Sequence, residues 1–308
     1  MKASIIIAAK DAEPFIHTAL RSALAQTMPD LEVIVINDGS SDGTGDVVRR
    51  FQHLDRRVVL LENAQPTGVS AARNRGLEVA QGDWIAILDA DDEYVDDRLA
   101  RMVALAEQRN LDFLADNLLL RELGSPSPGE TAYPSAWMAD RGLMSLKDLL
   151  ERDRPDSAYA MFGLIKPIMR RQFLLAAGLR YHDDVWCAED FLLYAEALLN
   201  GGAFGVIDEA LYIRYWRSES LSADRPSLHK EVSRVNRIIE KTAIRSAPGI
   251  LPIIRRRQAE LDYVAAFKAF RSRDFAMAAR MAFCVPLPIL TAKLAKAVRK
   301  RAVPRSVA

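Results

Sequence analysis

Short apolar runs alternate with amphipathic segments along the first 110 residues of the chain. The runs are six or seven residues long and rich in β-branched side chains, as buried strands are. In the segments between them, apolar residues recur at helical spacing. The predicted strands span residues 4–9, 31–37, 58–63 and 84–89, and the predicted helices span residues 14–26, 43–54, 69–81 and 97–110. This alternation predicts a doubly wound α/β domain with a parallel sheet covered on both faces.

Carboxylates follow three of the four predicted strands, at the edge where α/β sheets bind their ligands. Asp11 follows the first strand, Asp38 the second, and Asp89, Asp91 and Asp92 the fourth. Carboxylates gathered at one edge raise one another's pKa values unless a cation or a ligand neutralises them. A divalent cation is the economical solution, because it binds one or two carboxylates and completes its coordination with water and phosphate oxygens. We therefore expect a Mg²⁺ or Mn²⁺ site here.

The Asp89-Ala90-Asp91 segment continues an apolar strand. Side chains alternate along an extended chain, so Asp89 and Asp91 are expected to point to one side and Ala90 to the other. Such a pair could hold a metal ion, or one carboxylate could bind the metal while the other orients a ribose.

Asp38 lies in the segment NDGSSDGT, which has the composition of a turn. Gly39 and Gly43 tolerate left-handed backbone conformations, and Ser41 or Asp42 can cap the helix that follows. Turn chemistry therefore explains Asp38 as well as ligand binding does.

A second acidic pair, Glu189 and Asp190, opens a helical pattern in AEDFLLYAEALLNG. Acids in the first turn of a helix are favoured by the helix dipole, which needs no catalytic role.

Four segments occur in order along the chain: SIIIAAKDAEPFI, VIVINDGSSDGT, GVSAARNRGLEVAQGDWIAILDADD and AEDFLLYAEALLNG. Together they resemble family 2 glycosyltransferases, over about residues 3–222. The resemblance implies an A-type, Rossmann-like and mostly parallel sheet flanked by helices. After about residue 225 the family motifs stop, and the spacing of apolar residues predicts a helical extension.

The resemblance also implies roles for the strand-end residues. The aspartate matching Asp38 contacts the base or ribose of a nucleoside-diphosphate sugar, and the pair matching Asp89 and Asp91 binds ribose and the metal-bridged diphosphate. Asp11 lies at the same edge, and Arg73 lies on the helix that closes over the nucleotide. A structural salt bridge explains Arg73 equally well.

The same resemblance assigns the catalytic base of an inverting reaction to the acidic pair, with Asp190 as the first choice and Glu189 as the second. Arg217 is the basic residue expected to approach the diphosphate, with Arg214 behind it. Many relatives carry His where this chain has Arg217.

Composition excludes several other classes of protein. A formal net charge of +1 over 308 residues argues against a nucleic-acid partner that is bound through a global basic field. Two cysteines, Cys187 and Cys284, are too few for a disulfide framework, so a reducing, cytoplasmic compartment is expected. The opening MKASIIIAAKDAEPF is interpreted as a first strand instead of a signal peptide.

The predicted domains are a nucleotide-sugar transferase domain over residues 1–222 and a helical extension over residues 223–308. The first divides into a donor-binding half, 1–120, and an acceptor and catalytic half, 121–222. Within the second half, residues 121–137 are predicted to form a loop. Residues 162–181 contain Lys166, Arg170 and Arg171, which either meet a lipid-linked pyrophosphate or form a solvated basic helix face.

The last 34 residues contain seven Lys or Arg and no acid. In LTAKLAKAVRKRAV, Leu294 and Val298 share one face while Lys293 and Lys296 lie on another. This basic amphipathic tail suits peripheral contact with the cytoplasmic face of an anionic inner membrane, and helical packing on the protein is the alternative.

The sequence therefore predicts a metal-dependent, inverting glycosyltransferase with a UDP-sugar as the leading donor and a polysaccharide or polyprenyl-linked glycan as the acceptor. A haloacid-dehalogenase-type phosphatase also places Asp-x-Asp after a strand, but there the motif follows the first strand. A non-catalytic nucleotide-sugar binding protein is the other alternative.

Overall fold

A computed structural model describes residues 1–125, 127–138, 142–153, 161–216 and 226–286. The described residues divide into two compact units, the first ending at residue 216 and the second beginning at residue 226. The domain boundary predicted at residue 222 lies outside the described residues and stays a prediction.

The first unit begins with four parallel strands in the spatial order β3-β2-β1-β4. Three of the four helices that follow these strands are amphipathic, whereas the third along the chain buries Ser70, Arg73 and Asn74 beside Ala72. The strands are β1 (Ala3–Ala9), β2 (Leu31–Asp38), β3 (Val58–Asn63) and β4 (Trp84–Ile87), and the helices are α1 (Ile16–Leu24), α2 (Thr44–Leu54), α3 (Val69–Val79) and α4 (Arg98–Gln108), with the short strand β5 (Glu93–Tyr94) before α4. The predicted doubly wound arrangement is confirmed for this half.

The rest of the unit extends the same sheet along the path β4-β8-β6-β9-β5. Strand β8 runs antiparallel to both β4 and β6, whereas β6 and β9 form a long parallel ladder, so the sheet is mixed. The remaining elements are β6 (Phe113–Glu122), β7 (Glu130–Thr131), α5 (Ser135–Met138), α6 (Leu146–Arg152), a 3₁₀ turn (Phe162–Leu164), β8 (Ile168–Arg170), α7 (Arg171–Ala176), α8 (Glu189–Leu199) and β9 (Phe204–Trp216). This half contributes α8, which carries the second acidic pair.

Three local expectations were wrong. Strand β4 ends at Ile87, and residues 90–91 form a turn closed by the Asp92 N–H donating to the Asp89 carbonyl at 3.1 Å, so the Asp-x-Asp segment is not extended. Residues 121–137 are not one loop, because they include the end of β6, β7 and part of α5. Residues 162–181 are not a solvated basic helix, since Lys166 is buried.

A buried ion pair joins α4 to β6. Arg98 and Asp116 are both fully buried, and the guanidinium binds the carboxylate through Nε at 2.9 Å and Nη2 at 2.7 Å. Nη2 also donates to the carbonyl of Lys166 at 2.5 Å. Because the carboxylate and that carbonyl share one guanidinium, Arg98 fixes the backbone that presents Lys166.

The second unit consists of helices α9 (Pro226–Ser246), α10 (Leu251–Arg271) and α11 (Phe275–Phe283), with a 3₁₀ turn (Pro248–Ile250) between α9 and α10. A buried polar network links α9 to α10, in which Asp262 accepts from Ser233 at 2.6 Å and pairs with Arg237 at 2.8 Å. None of the described helices is both long and apolar enough to cross a membrane. The predicted amphipathic tail, residues 290–303, lies outside the described residues.

Candidate active site

Six side chains from five separate segments meet beyond the end of β4. We refer to them as the central ion cluster, which consists of Arg73, Asp89, Lys166, Tyr181, Glu189 and Asp190. Three carboxylates face two cations here, and every charge has a partner of opposite sign within 3.1 Å. Buried charges are tolerated only when they are paired in this way.

Arg73 projects from α3 and connects both acidic motifs. Its Nη1 donates to Glu189 at 2.7 Å and to Asp190 at 3.0 Å, and its Nη2 donates to Asp89 at 2.8 Å. The guanidinium also lies over the Tyr181 ring, 5.3 Å from its centroid. The structural salt bridge weighed for Arg73 is therefore present, and nucleotide contact stays a prediction.

Lys166 makes the second bridge between the two motifs. Its Nζ lies 2.5 Å from Asp190 Oδ2 and 3.1 Å from Asp89 Oδ2. In sequence Lys166 looked like one of several basic residues near the acceptor site, and no local pattern indicated that it is buried between two carboxylates. Only the folded chain brings these partners together.

Asp190 lies at the start of α8 with both carboxylate oxygens engaged. Oδ1 accepts from Arg73 and from the Tyr181 hydroxyl at 2.9 Å, and Oδ2 accepts from Lys166. Burial and the Asp190 charge raise the pKa of Tyr181 well above its usual value, so its hydroxyl stays protonated and donates. These three donors thus hold the Asp190 carboxylate in one orientation.

Glu189 differs from Asp190 in its surroundings. It bonds to Arg73 through one oxygen, and burial and the neighbouring Asp190 charge raise its pKa. The residue before it, Ala188, has φ 60°, a left-handed conformation that a residue with a Cβ seldom adopts. This strained residue directly precedes Glu189 and Asp190, and it fixes the direction in which the chain enters α8.

The two aspartates of the Asp-x-Asp segment have different environments because of the turn between them. Asp89 pairs with Arg73 and Lys166, and these cations overcome the opposing effect of burial and hold its pKa well below the usual range. Asp91 instead lines a cavity of about 470 Å³ together with Phe15, Arg121 and Tyr215. Asp91 is therefore the better placed of the two to bind an added cation.

Asp92 shows that negative charge at this turn is only partly compensated. It is buried, and it accepts from the Tyr212 hydroxyl at 2.8 Å and from the Tyr215 N–H at 3.0 Å. Burial and the neighbouring Asp89 and Asp91 carboxylates raise its pKa to about 8. A divalent cation at this turn would relieve that repulsion, so the donor set fits one.

No cluster of three or more His, Cys, Asp or Glu side chains in the described segments is arranged to hold a metal ion. A cation would therefore depend on one or two carboxylates and on oxygens brought by a diphosphate, as Mg²⁺ often does.

Arg214 on β9 lies close enough to this turn for its charge to interact with the carboxylates there. Burial acts against its charge, but Asp92 and Asp89 raise its pKa. Arg217, the residue expected at the diphosphate, lies outside the described residues. Arg214 is the second basic residue that the sequence predicts near the diphosphate.

Asp38, at the end of β2, is surrounded by donors from residues 63–68. Oδ1 accepts from Asn63 at 2.7 Å and from the Thr67 N–H and hydroxyl at 2.8 Å, and Oδ2 accepts from the Gly68 N–H at 2.9 Å. Burial opposes ionisation, but these bonds outweigh it and lower the pKa of Asp38. Asp38 therefore fixes the backbone that leads into α3, the helix that carries Arg73.

Asp11, at the end of the adjacent strand β1, is part of a similar turn. It has φ 48°, and its Oδ1 accepts from the Ser41 N–H at 2.8 Å and hydroxyl at 3.0 Å. The loops after β1 and β2 are thereby tied together at the sheet edge. The nucleotide contacts expected of Asp11 and Asp38 stay predictions.

Replacing Asp38 with Ala is expected to destabilise the protein by roughly 1.5–3 kcal/mol at neutral pH, the range for hydrogen bonds to a charged group. Because the folded pKa is lowered, this stabilisation is present above the usual pKa of 3.8 and is lost as pH falls through the folded value. The difference between variant and wild type should therefore shrink in acid. Urea unfolding at neutral and acidic pH measures it.

Asp46→Ala is the matched control, since this exposed aspartate pairs with Arg49 at the surface. It should change stability by less than about 1 kcal/mol. An Asp38→Ala protein as stable as wild type at neutral pH would show that the bonds to residues 63–68 are dispensable.

Comparison with known proteins identifies the relatives of this chain. A family model described as Glycosyl transferase family 2 matches residues 4–160. The chain is 34% identical over 219 residues to succinoglycan biosynthesis protein ExoO of Rhizobium meliloti (strain 1021), covering 71% of this chain and 62% of that protein. It is 33% identical over 227 residues to ExoU of the same strain, covering 73% and 65%. The chain thus spans less than two thirds of the length of these relatives.

Solved structures share the fold at low sequence identity. S. aureus TarS 1–349 in complex with UDP-GlcNAc superposes with a TM-score of 0.65 at 21% identity, over 89% of this chain and 73% of that one. Mannosyltransferase PcManGT from Pyrobaculum calidifontis, in complex with GDP-Man and Mn²⁺, gives 0.61 at 18% identity, over 96% and 79%. These likenesses confirm the expected A-type fold.

Proposed function

Because the chain belongs to glycosyl transferase family 2, we propose that it transfers one sugar from a nucleoside-diphosphate sugar to an exopolysaccharide or lipid-linked glycan, with inversion at the anomeric carbon. The observation that carries this proposal is the central ion cluster, in which Arg73 and Lys166 join Asp89 of the donor motif to Asp190. The family match does not favour the phosphatase.

UDP-sugars are the leading donors. Among the structural neighbours, TarS is seen with UDP-GlcNAc, whereas PcManGT is seen with GDP-Man. The succinoglycan relatives support a polysaccharide precursor as the acceptor. We propose that the protein works in the cytoplasm, on the cytoplasmic face of the inner membrane if the acceptor is polyprenyl-linked.

The catalytic base is assigned to Asp190. It takes the proton of the acceptor hydroxyl while that oxygen bonds to the anomeric carbon, and the bond from that carbon to the diphosphate oxygen breaks. Arg73, Lys166 and Tyr181 donate to the two carboxylate oxygens of Asp190 and fix the orientation of the carboxylate.

A divalent metal ion, Mg²⁺ or Mn²⁺, would be held by Asp91 with help from Asp89, and when bound it supplies positive charge for the leaving diphosphate. Arg73, Arg214 and Lys166 add fixed positive charge near the same place. Asp89 contributes by holding Arg73 and Lys166 in position.

Donor and metal are identified together by a binding panel. Purified protein is incubated with UDP-, GDP- and dTDP-sugars in the presence of Mn²⁺, Mg²⁺ or EDTA, and thermal shift and nucleoside diphosphate release are recorded. We expect one nucleotide to bind only with metal, and Asp91→Asn to weaken that binding at least about tenfold, because a carboxylate ligand is lost.

Asp83→Asn is the control, since this aspartate is exposed at the opposite end of β4. Its binding should equal that of wild type. Failure of every nucleotide and nucleotide sugar to bind would reject the transferase, and equal binding in EDTA would reject the metal.

A further inference from the structure

Two pairs of aromatic rings lie along α10 and at the start of α11 in the second unit, and three of the four side chains are exposed. The rings of Tyr263 and Phe267 are stacked with centroids 6.4 Å apart, and those of Phe270 and Phe275 meet edge to face at 5.7 Å. The three phenylalanines are 47%, 61% and 60% exposed. We call these four residues the aromatic stripe.

The stripe does not belong to the core of the unit. The core contacts between α10 and α11 are made by other residues, including Ala265, Ala266 and Met281. Tyr263, Phe267 and Phe270 follow one another at four- and three-residue spacing, so they share one face of α10. Phe283, at the end of α11, is also almost fully exposed. Exposed aromatic surface of this kind marks a place of interaction.

The charged residues next to the stripe are mostly basic. Lys268 and Arg271 lie on α10, Arg273 lies in the turn after it, and Arg280 lies on α11. The one acid between residues 263 and 286 is Asp274, whose carboxylate accepts from the Met277 N–H and caps α11. Aromatic rings flanked by arginine and lysine suit a surface that is apolar inside and negatively charged outside.

We propose that the aromatic stripe and its four basic neighbours dock on a bilayer that contains anionic lipids. The phenylalanines enter the boundary between head groups and acyl chains, and the basic side chains contact the phosphates. A second copy of the chain fits less well, because two such surfaces would bring like charges together. This proposal does not rest on the transferase reaction and concerns residues other than the basic tail.

Vesicle sedimentation tests the proposal with the full chain. Wild type is expected to bind vesicles of phosphatidylcholine with phosphatidylglycerol, and to bind phosphatidylcholine alone at least about tenfold more weakly, since each basic residue near an anionic surface contributes. Phe267→Ser with Phe270→Ser and Phe275→Ser should weaken binding to the mixed vesicles at least about tenfold. Arg271→Glu with Arg273→Glu should weaken it to a similar extent.

Leu54→Ser is the matched control, because Leu54 is an 85% exposed apolar residue at the end of α2, in the first unit. It should bind vesicles as wild type does, and circular dichroism should show that every variant is folded. The proposal would be overturned if the triple serine variant bound the mixed vesicles as tightly as wild type does. It would also be overturned if binding were lost only when the tail lysines are replaced. A wild-type dimer that the triple variant abolishes, without vesicle binding, would overturn it in favour of self-association.

Discussion

Asp190→Asn is expected to lower the turnover rate about 10²- to 10⁴-fold while leaving donor binding within a few fold, because general base catalysis contributes an effect of that size. Asparagine keeps the shape of the side chain but cannot accept the acceptor proton. Nucleoside diphosphate release is measured with the donor that the binding panel identifies. Donor affinity is measured separately by calorimetry.

Glu189→Gln is the paired variant, since Glu189 neighbours Asp190 and shares Arg73 with it. It should lose much less activity than Asp190→Asn. A larger loss in Glu189→Gln would transfer the role of base to Glu189, whose pKa is raised by burial and by Asp190. Thermal unfolding shows whether either variant has lost the central ion cluster as a whole.

Arg98→Met is expected to cost about 3–5 kcal/mol of folding free energy, because it leaves the Asp116 carboxylate buried without its counter-charge. The change also removes the bond to the Lys166 carbonyl and the stacking of the guanidinium on Tyr94, 4.3 Å from the ring centroid. Urea unfolding followed by circular dichroism measures the loss. We expect activity to fall as well, since Lys166 loses its backbone anchor.

Arg101→Met, one turn further along α4, is the control. Arg101 pairs with Asp97 and Glu209 at the surface, and exposed pairs contribute no more than about 1 kcal/mol. Combining Arg98→Met with Asp116→Leu should recover much of the lost stability, because a buried ion pair can often be replaced by apolar side chains. If Arg98→Met unfolds at the same urea concentration as wild type, the pair has no net stabilising role.

The parallel half of the sheet was predictable from the sequence because its signals are local. Four mainly apolar runs match β1 to β4 within two residues, and the ends of the four predicted helices also agree with the structure within two residues. Buried parallel strands are apolar on both faces, so each run is visible by itself. Helix α8 was predictable for the same reason.

The remainder depended on contacts between distant residues. Strand β8 is three residues long and β5 is two, so neither is long enough to show an alternation of apolar and polar residues in the sequence. The turn at residues 90–91 interrupts a motif that looks extended in sequence. Asp89 and Asp190 could be identified as acidic candidates, but their sharing of Arg73 and Lys166 requires four segments to come together.

The shared cations also limit how such enzymes can be recombined. Arg73 and Asp89 come from the donor-binding half, whereas Lys166 and Asp190 come from the other half, and each half carries a cation that the other half's acid needs. A chimera that joins the donor half of one relative to the acceptor half of another inherits one member of each pair from each parent. Donor preference should therefore be transferable between relatives only when both crossed pairs are retained across the junction.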